Sequence, residues 1–537
     1  MTHSAAIVVL MLALLIAGLS VAARKLRVSS PVLMLLAGAA IAFVPGAPRV
    51  LLDPEFVLLV LLPPVLYSSG VNMSWRGFRS NLRPILLLAV GCVLFTAAAV
   101  AAVAHYALGI PWAVGFVLGA IVSPPDAVAP MAMLRLVRLP RRLVTILEGE
   151  SLVNDATALV TLGFATAAVV SGTFAPLAGG AQFVVIVVGE LAFGVAVGWM
   201  MLRLRHVAAD PRAEVLLALA SPFLAFWPPH AVGGSGVIAC VAAGLYVSWN
   251  GRRWIRSATR LQGYFIWNLV VWATEALVFL LAGLQARTVV DSLARDEWPR
   301  ALAAGAITTV TVVAVRFLWV YPATYLPRLL VPALRRRDPA PDWRYPFLIS
   351  FAGVRGVVSL AAALLIPLQI DGRPFPERDV VLFATYCVIA LTIVGLGAGL
   401  RPLVRALGLG RSGAHEANLN KQDERRVRIE GIDAVLEAID RAEQAGASTE
   451  VVAALRRRHA DRRAEIAATA DERTPADPVA EGAELQLELV KIERAAIASA
   501  YAGNRLTDEA RRRIEREFDL EEARVRHALA SVSVEDD

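Results

Sequence analysis

The sequence predicts an all-α polytopic membrane protein with a helical cytoplasmic tail. Three observations carry that prediction. Of 537 residues, 57% are hydrophobic and only 18% are charged, against roughly 25% charged in soluble domains. Apolar runs long enough to cross a bilayer, or nearly so, recur thirteen times before residue 410. Arginine and lysine fall in alternate loops between those runs, 22 on one side and 6 on the other.

The runs cover residues 5–23, 31–45, 56–72, 84–105, 111–134, 143–170, 181–202, 214–229, 234–249, 264–286, 301–327, 345–369 and 380–400. The first resembles a secretory signal, but no positive charge precedes it, and Arg24, Lys25 and Arg27 follow it at once. That polarity is the reverse of a signal peptide and reads as a first spanning helix. An odd number of crossings puts the termini on opposite sides. The basic loops then place the N-terminus outside and the C-terminus in the cytoplasm of a cell with an inner membrane of this kind. The formal charge of +7 is spent on this loop pattern, so nucleic acid is not an expected partner. Cys92, Cys240 and Cys387 are scattered singly in apolar segments, too far apart in sequence for a metal motif.

After about residue 410 the composition turns to Arg, Glu, Asp and Ala. A division into a transmembrane domain, 1–410, and a cytoplasmic helical domain, 411–537, is expected. Val427, Ile429, Ile432, Val435, Leu436 and Ile439 recur at helical spacing, and a further helix is expected over 506–529. Some four amphipathic helices with solvated faces follow.

The polar residues inside the spans carry the chemistry. In the sixth run, Glu148-Gly149-Glu150-Ser151-Leu152-Val153-Asn154-Asp155 places Asp155, Glu148 and Ser151 on one stripe, with Asn154 and Glu150 beside it. Each carboxylate in hydrocarbon costs roughly 2.5–3.5 kcal/mol. A helix with that burden moves ions or protons, or answers an opposite charge. In the fifth run, Ser123-Pro124-Pro125-Asp126-Ala127-Val128-Ala129-Pro130 cannot continue a regular helix. Broken backbone at membrane depth is tolerated where it is packed in protein or lines a wet cavity, and such half-helices build cation sites. Counted from Arg142 and Arg135, Asp155 and Asp126 reach roughly 20 and 13 Å into the bilayer from one face. Asp155, Asn154, Ser151 and Asp126 therefore form a candidate oxygen set for a monovalent metal cation and for the proton. In the twelfth run, Phe351-Ala352-Gly353-Val354-Arg355-Gly356-Val357 sets an arginine among glycines. A structural ion pair of Arg355 with Glu150, or with Glu148, is expected. Arg316, Glu275 and Glu190 are taken as pairing or packing elements.

Ser123–Ala129, Glu148–Asp155 and Gly353–Leu360 together resemble the motifs of the bacterial cation:proton antiporter-1 family, relatives of the animal sodium/proton exchangers. The resemblance spans roughly residues 5–405. It implies two inverted repeats offset by seven helices, with helices 5 and 12 broken and crossed, in a homodimer. It also implies antiport of Na+, with K+ and Li+ as alternatives, against H+ in pH homeostasis, without a cofactor. By resemblance Asp155 is the shared carboxylate, Asn154 and Ser151 its neighbours, Asp126 the acid of the broken helix, and Glu150 and Arg355 the buried pair. Cation and proton then compete for Asp155 under alternating access. The neutral Asn154 beside it goes with electroneutral exchange. The chain departs from the pattern at Pro125-Asp126-Ala127, where many relatives have Thr-Asp-Pro. It departs again at Pro63-Pro64-Val65-Leu66-Tyr67-Ser68, where some have a glutamate.

Two rivals are a channel of similar architecture and an intramembrane protease. Gly233-Gly234-Ser235-Gly236 matches a serine-protease motif, but the seven histidines lie near ends, in loops or in the tail, so no deep base activates the serine. No enzyme activity is expected.

Overall fold

Helix occupies at least part of each of the thirteen apolar runs. The computed structural model describes residues 3–26, 28–46, 53–126, 130–131, 134, 139–172, 176–370, 372–468, 477–502 and 508–532. The first runs form α1 (His3–Leu26), α2 (Ser30–Ala42), α3 (Pro54–Asn72) and α4 (Leu82–Leu108). Next come α5 (Trp112–Val122), α6 (Arg141–Ser171), α7 (Pro176–Ala208), α8 (Pro211–Ala231), α9 (Val237–Trp254) and α10 (Ser257–Leu284). Then follow α11 (Trp298–Leu330), the half-helices α12 (Arg344–Phe351) and α13 (Val357–Leu364), and α14 (Arg378–Ala406). Among the described residues, seven helices are long and apolar enough to cross a membrane. α2, α5 and α9 are apolar but shorter. The chain is a multi-pass membrane protein.

Local chemistry sets the helix ends. Asp53 and Asp210 cap α3 and α8, accepting from the backbone N–H of Glu55 and Ala213 at 3.0 and 2.9 Å. Pro54 and Pro211 fill first-turn positions whose N–H would be unsatisfied anyway. Among the described residues, the β-structure is a short antiparallel pair in which Gln369 faces Pro374.

Packing depends on small residues, as expected where lipid removes the hydrophobic drive between helices. A Cβ on Gly38 of α2 would meet the Gly283 Cα of α10 at 3.0 Å, and one on Gly70 of α3 would meet the Gly244 Cα of α9 at 3.2 Å. Bulky apolar side chains such as Leu10, Met11, Leu14, Val185 and Val188 are left on the outside of α1 and α7.

Three spans contain a stretch of wider π-helix: Val57–Leu61 in α3, Leu87–Cys92 in α4 and Thr392–Gly397 in α14. Such bulges disturb the normal backbone ladder; a tryptophan from another helix meets the first two, and the third offers its own threonine to the unwound segment 353–356. The Trp227 indole donates to the Leu59 carbonyl and the Trp319 indole to the Leu87 carbonyl, both at 2.9 Å. Thr392 Oγ1 accepts the Arg355 backbone N–H at 3.0 Å.

The chain divides into two compact units, Met1–Glu416 and Ala417–Asp537. The tail contains four helices among its described residues, Leu409–Gln444, Thr449–Ala468, Asp477–Ala502 and Asp508–Val532, with a turn at 445–448 between the first two. The last begins at Asp508, close to the expected start. Its basic residues face acids, as with Arg463 on Asp433 at 2.6 Å and Arg494 on Asp519 and Glu522 at 2.7 Å.

Candidate ion-translocation site

The site is built where two helices fail. α5 stops at Val122, before Pro124 and Pro125, and residues 353–356 between α12 and α13 are unwound. The two breaks lie against each other, joined by the Asp126 N–H donating to the Val354 carbonyl at 2.7 Å. Breaking a helix leaves carbonyls without partners at its C-terminal end. Here buried cations take them. Arg355 donates from Nε to Val122 O at 2.9 Å and from Nη2 to Ser123 O at 3.3 Å, and from Nη1 to Gly353 O. Arg316, from α11, donates from Nε to Ile349 O of α12 at 3.1 Å. Each guanidinium thus sits at the negative end of a half-helix dipole.

Asp126 answers with the opposite sign. Its carboxylate lies against Gly356, so closely that a Cβ there would collide with it. Gly356 is the cap of α13, so the acid stands at the positive end of that half-helix. The glycine is required by this approach.

The expected pair of Glu150 with Arg355 is not the one formed. Glu150 binds Arg316 bidentately, at 2.6 Å from Nη1 and 2.8 Å from Nη2. Both side chains are about 1–2% exposed. Arg355 is neutralised instead by backbone carbonyls. Glu148, the alternative mate, lines a cavity and is free of that duty to the fold.

That cavity, about 260 Å³, contains the stripe seen in the sequence. Glu148, Ser151 and Asp155 of α6 line one wall, with Asp126 beside them, and Ser68, Asn72 and Glu275 line the wall opposite. Asn72 at the end of α3 and Glu148 in α6 line it together with Asp155, which is 8% exposed. Beyond Asp155 lies a gap of only about 10 Å³, room for about one water. Its surroundings are Ala120, Ile121, Ala158, Leu162 and Ala362, with Ser359. Asp155 thus lines both the 260 Å³ cavity and this small gap, and Leu159 and Leu162 of the gap also line a further cavity of about 470 Å³.

Asn154 divides its functions. Its amide Nδ2 donates to the Pro125 carbonyl at 2.5 Å, tying α6 to the break in α5. Its Oδ1 is buried without a hydrogen-bond partner, an acceptor suited to a cation or a water. Asn154 does not line the larger cavity, whereas Ser151, Asp126 and Asp155 do. Of the expected sequence around the break, residues 127–129 lie outside the described residues.

Three lining residues were not anticipated as site residues. Ser68 and Asn72 are one helical turn apart at the end of α3, and the Asn72 amide donates to Ser68 Oγ at 3.2 Å. That i, i+4 polar pair closing an apolar run was the signal available. Glu275, expected as a pairing or packing element, brings a carboxylate to the cavity from α10.

The serine-protease reading loses its serine. Ser235 gives its hydroxyl to the Glu190 carboxylate at 2.9–3.0 Å, and Ser235, Gly236 and Ile238 give it their backbone N–H groups at 2.5, 2.9 and 3.1 Å. Glu190 thereby caps α9 from a neighbouring helix. Gly233 and Gly236 have φ of +87° and +71°, which only glycine adopts cheaply. The motif is a turn.

The family model described as sodium/hydrogen exchanger, transmembrane, matches residues 10–406. An uncharacterized Na(+)/H(+) exchanger of Mycobacterium tuberculosis is 32% identical over 529 residues, covering 97% of this chain and 96% of its own. A sodium, potassium, lithium and rubidium/H(+) antiporter of Bacillus subtilis is 33% identical over 356 residues, covering 64% of this chain and 53% of its own. In fold, the sodium proton antiporter MjNhaP1 of Methanocaldococcus jannaschii superposes with a TM-score of 0.60 at 18% identity, over 76% of this chain and 98% of that one. On the family match and on a relative aligned along nearly its whole length, the chain belongs to the sodium/hydrogen exchanger family.

Proposed function

We propose that the protein is a secondary transporter exchanging a monovalent cation for protons, with Asp155 as the single carboxylate for which the two compete. The observation that carries this reading is the unequal space around Asp155. It lines a 260 Å³ cavity, while its other contacts leave a gap of only about 10 Å³ among mostly apolar side chains. That is the form of one half of an alternating-access cycle.

Ser151, Asp126 and the unpartnered Asn154 Oδ1 are the neighbouring oxygens, and they suit a hard cation. Ser68 stands where some relatives carry a glutamate, and Glu275 supplies a carboxylate from the opposite wall. One charged aspartate beside a neutral asparagine carries one charge, either a cation or a proton, at each crossing. The exchange is then electroneutral.

The meeting of the breaks supports the inverted-repeat architecture. So do the pairings of α2 with α10 and α3 with α9, which a seven-helix offset interchanges. The arginine-rich ends face the cytoplasm in the positive-inside orientation, and the family resemblance implies a homodimer.

The test is proton flux in proteoliposomes against gradients of Na+, K+, Li+ and Rb+, with the membrane potential clamped at several values. Saturable exchange independent of the potential is expected. Flux that continues without a counter-cation, or that follows the potential, would contradict it.

A further inference from the structure

A second cavity, about 410 Å³, lies between the arginine-rich ends of α4, α6, α11 and α12. Its wall is apolar, formed by Leu87, Leu88, Leu143, Ile146, Val320 and Ala323. Its mouth is basic. Arg83, Arg142 and Arg328 line it and converge on one carboxylate, Asp338, at 2.9, 2.8 and 2.7 Å. Two other acids line it, of which Asp342 is paired with a cation outside the cluster while Glu416 keeps its charge, so the three arginines still outnumber Asp338 and Glu416 by one. Asp342 lies 3.8 Å from Arg344 Nε, and Glu416 accepts the Arg141 backbone N–H at 3.2 Å.

Three guanidinium groups on one carboxylate leave an excess of positive charge, and one donor is visibly unmet. Arg83 Nη2 binds Asp338, while Arg83 Nη1 is buried without a hydrogen-bond partner. A buried charged donor calls for an acceptor. Arg328 is only 6% exposed and is fixed by the Thr324 and Asp338 carbonyls as well as the Asp338 carboxylate. It is positioned and not merely solvated.

We propose that this cavity binds an anionic phospholipid, its phosphodiester on Arg83 and Arg142 and one acyl chain along the wall of Leu87, Leu143 and Ile146. Basic pockets between spanning helices on the positive side of a membrane protein take acidic headgroups, and guanidinium pairs with phosphate in bidentate fashion. A zwitterionic lipid has the same phosphodiester but brings a choline cation to a mouth that already holds three guanidinium groups. A free phosphate would leave the apolar wall unused. The bound lipid would tie the foot of α6, the helix of Asp155, to α4 and α11. This assignment stands independently of the exchange reaction.

The full-length protein, delipidated in detergent, is titrated with phosphatidylglycerol, phosphatidylcholine or glycerol 3-phosphate, and followed by native mass spectrometry and melting temperature. One retained phosphatidylglycerol per chain and a raised melting temperature are expected with that lipid alone. Arg83→Lys keeps a cation beside Asp338 but removes the spare donor, and should weaken retention about tenfold, the worth of one charge-assisted hydrogen bond. Ala323→Phe fills the apolar part, leaves the arginines, and should abolish retention. Equal effects of the two lipids, or glycerol 3-phosphate acting as well as phosphatidylglycerol, would overturn the proposal. So would folded Arg83→Lys binding like the wild type. Should Arg83→Lys fail to fold, retention by Ala323→Phe alone decides: undiminished binding overturns the site, and loss supports it.

Discussion

Arg316 grips Glu150 with both terminal nitrogens, at 2.6 and 2.8 Å, inside a protein interior where neither side chain is more than about 2% exposed. Because Arg316 also holds the end of α12, this pair fixes α6, α11 and α12 to one another.

Breaking one side of a buried pair strands a charge, at a cost of about 3–5 kcal/mol. Glu150→Gln and Arg316→Met should each destabilise the folded protein by that much. The double variant should recover most of the loss, since a well-packed neutral pair is often no worse than the ion pair. Chemical unfolding in detergent, read as a double-mutant cycle, measures the coupling. Additive losses would mean that the two side chains do not act together.

Gly356 is where Asp126 rests, and a methyl group there collides with the carboxylate. Gly356→Ala should displace Asp126, cost about 1–3 kcal/mol by overpacking, and raise the cation KM. Gly163→Ala on α6 is the control, because a Cβ there meets nothing within 4 Å. Matched melting curves and initial rates distinguish them. Equal behaviour of the two variants would show that the contact at Gly356 is dispensable.

The sequence carries some of this arrangement openly. Three prolines around Asp126 announce a break whatever surrounds them, because the missing N–H groups are a local fact. The stripe of Glu148, Ser151 and Asp155 follows from helical spacing alone, and all three share one cavity wall. Partner choice is different. Two arginines lie inside spans, at 316 and 355, and nothing local says which one meets Glu150. The break itself held a clue: unwound segments release carbonyls, and Arg355 sits within one such segment, within reach of those of Val122, Ser123 and Gly353. The opposite wall of the cavity was hardest to foresee. Ser68 and Asn72 form a polar pair on α3, but only the packing of α3 and α10 brings them to one cavity with Glu275.

Asp338 offers a pH signature outside the spans. Partial burial pushes its carboxyl up, but the hydrogen bond from Arg142 and the charges of Arg142, Arg328 and Arg83 outweigh that and hold it below the ordinary value. A depressed folded value means its contribution is complete above the unfolded pKa of about 3.9 and is lost as pH falls through the folded one. The melting-temperature gap between wild type and Asp338→Asn should stay constant from about pH 8 to 5 and close below about pH 4. A gap that widens with acid would contradict the assignment.

The central claim is that one carboxylate serves both substrates. Its most direct measurement is cation-driven proton flux in proteoliposomes carrying Asp155→Asn, beside wild type at equal protein density. Flux reduced to the level of empty vesicles is expected, with the melting temperature little changed because Asp155 lines the cavity and makes no ion pair among the described residues. Exchange that persists at the wild-type rate would contradict it.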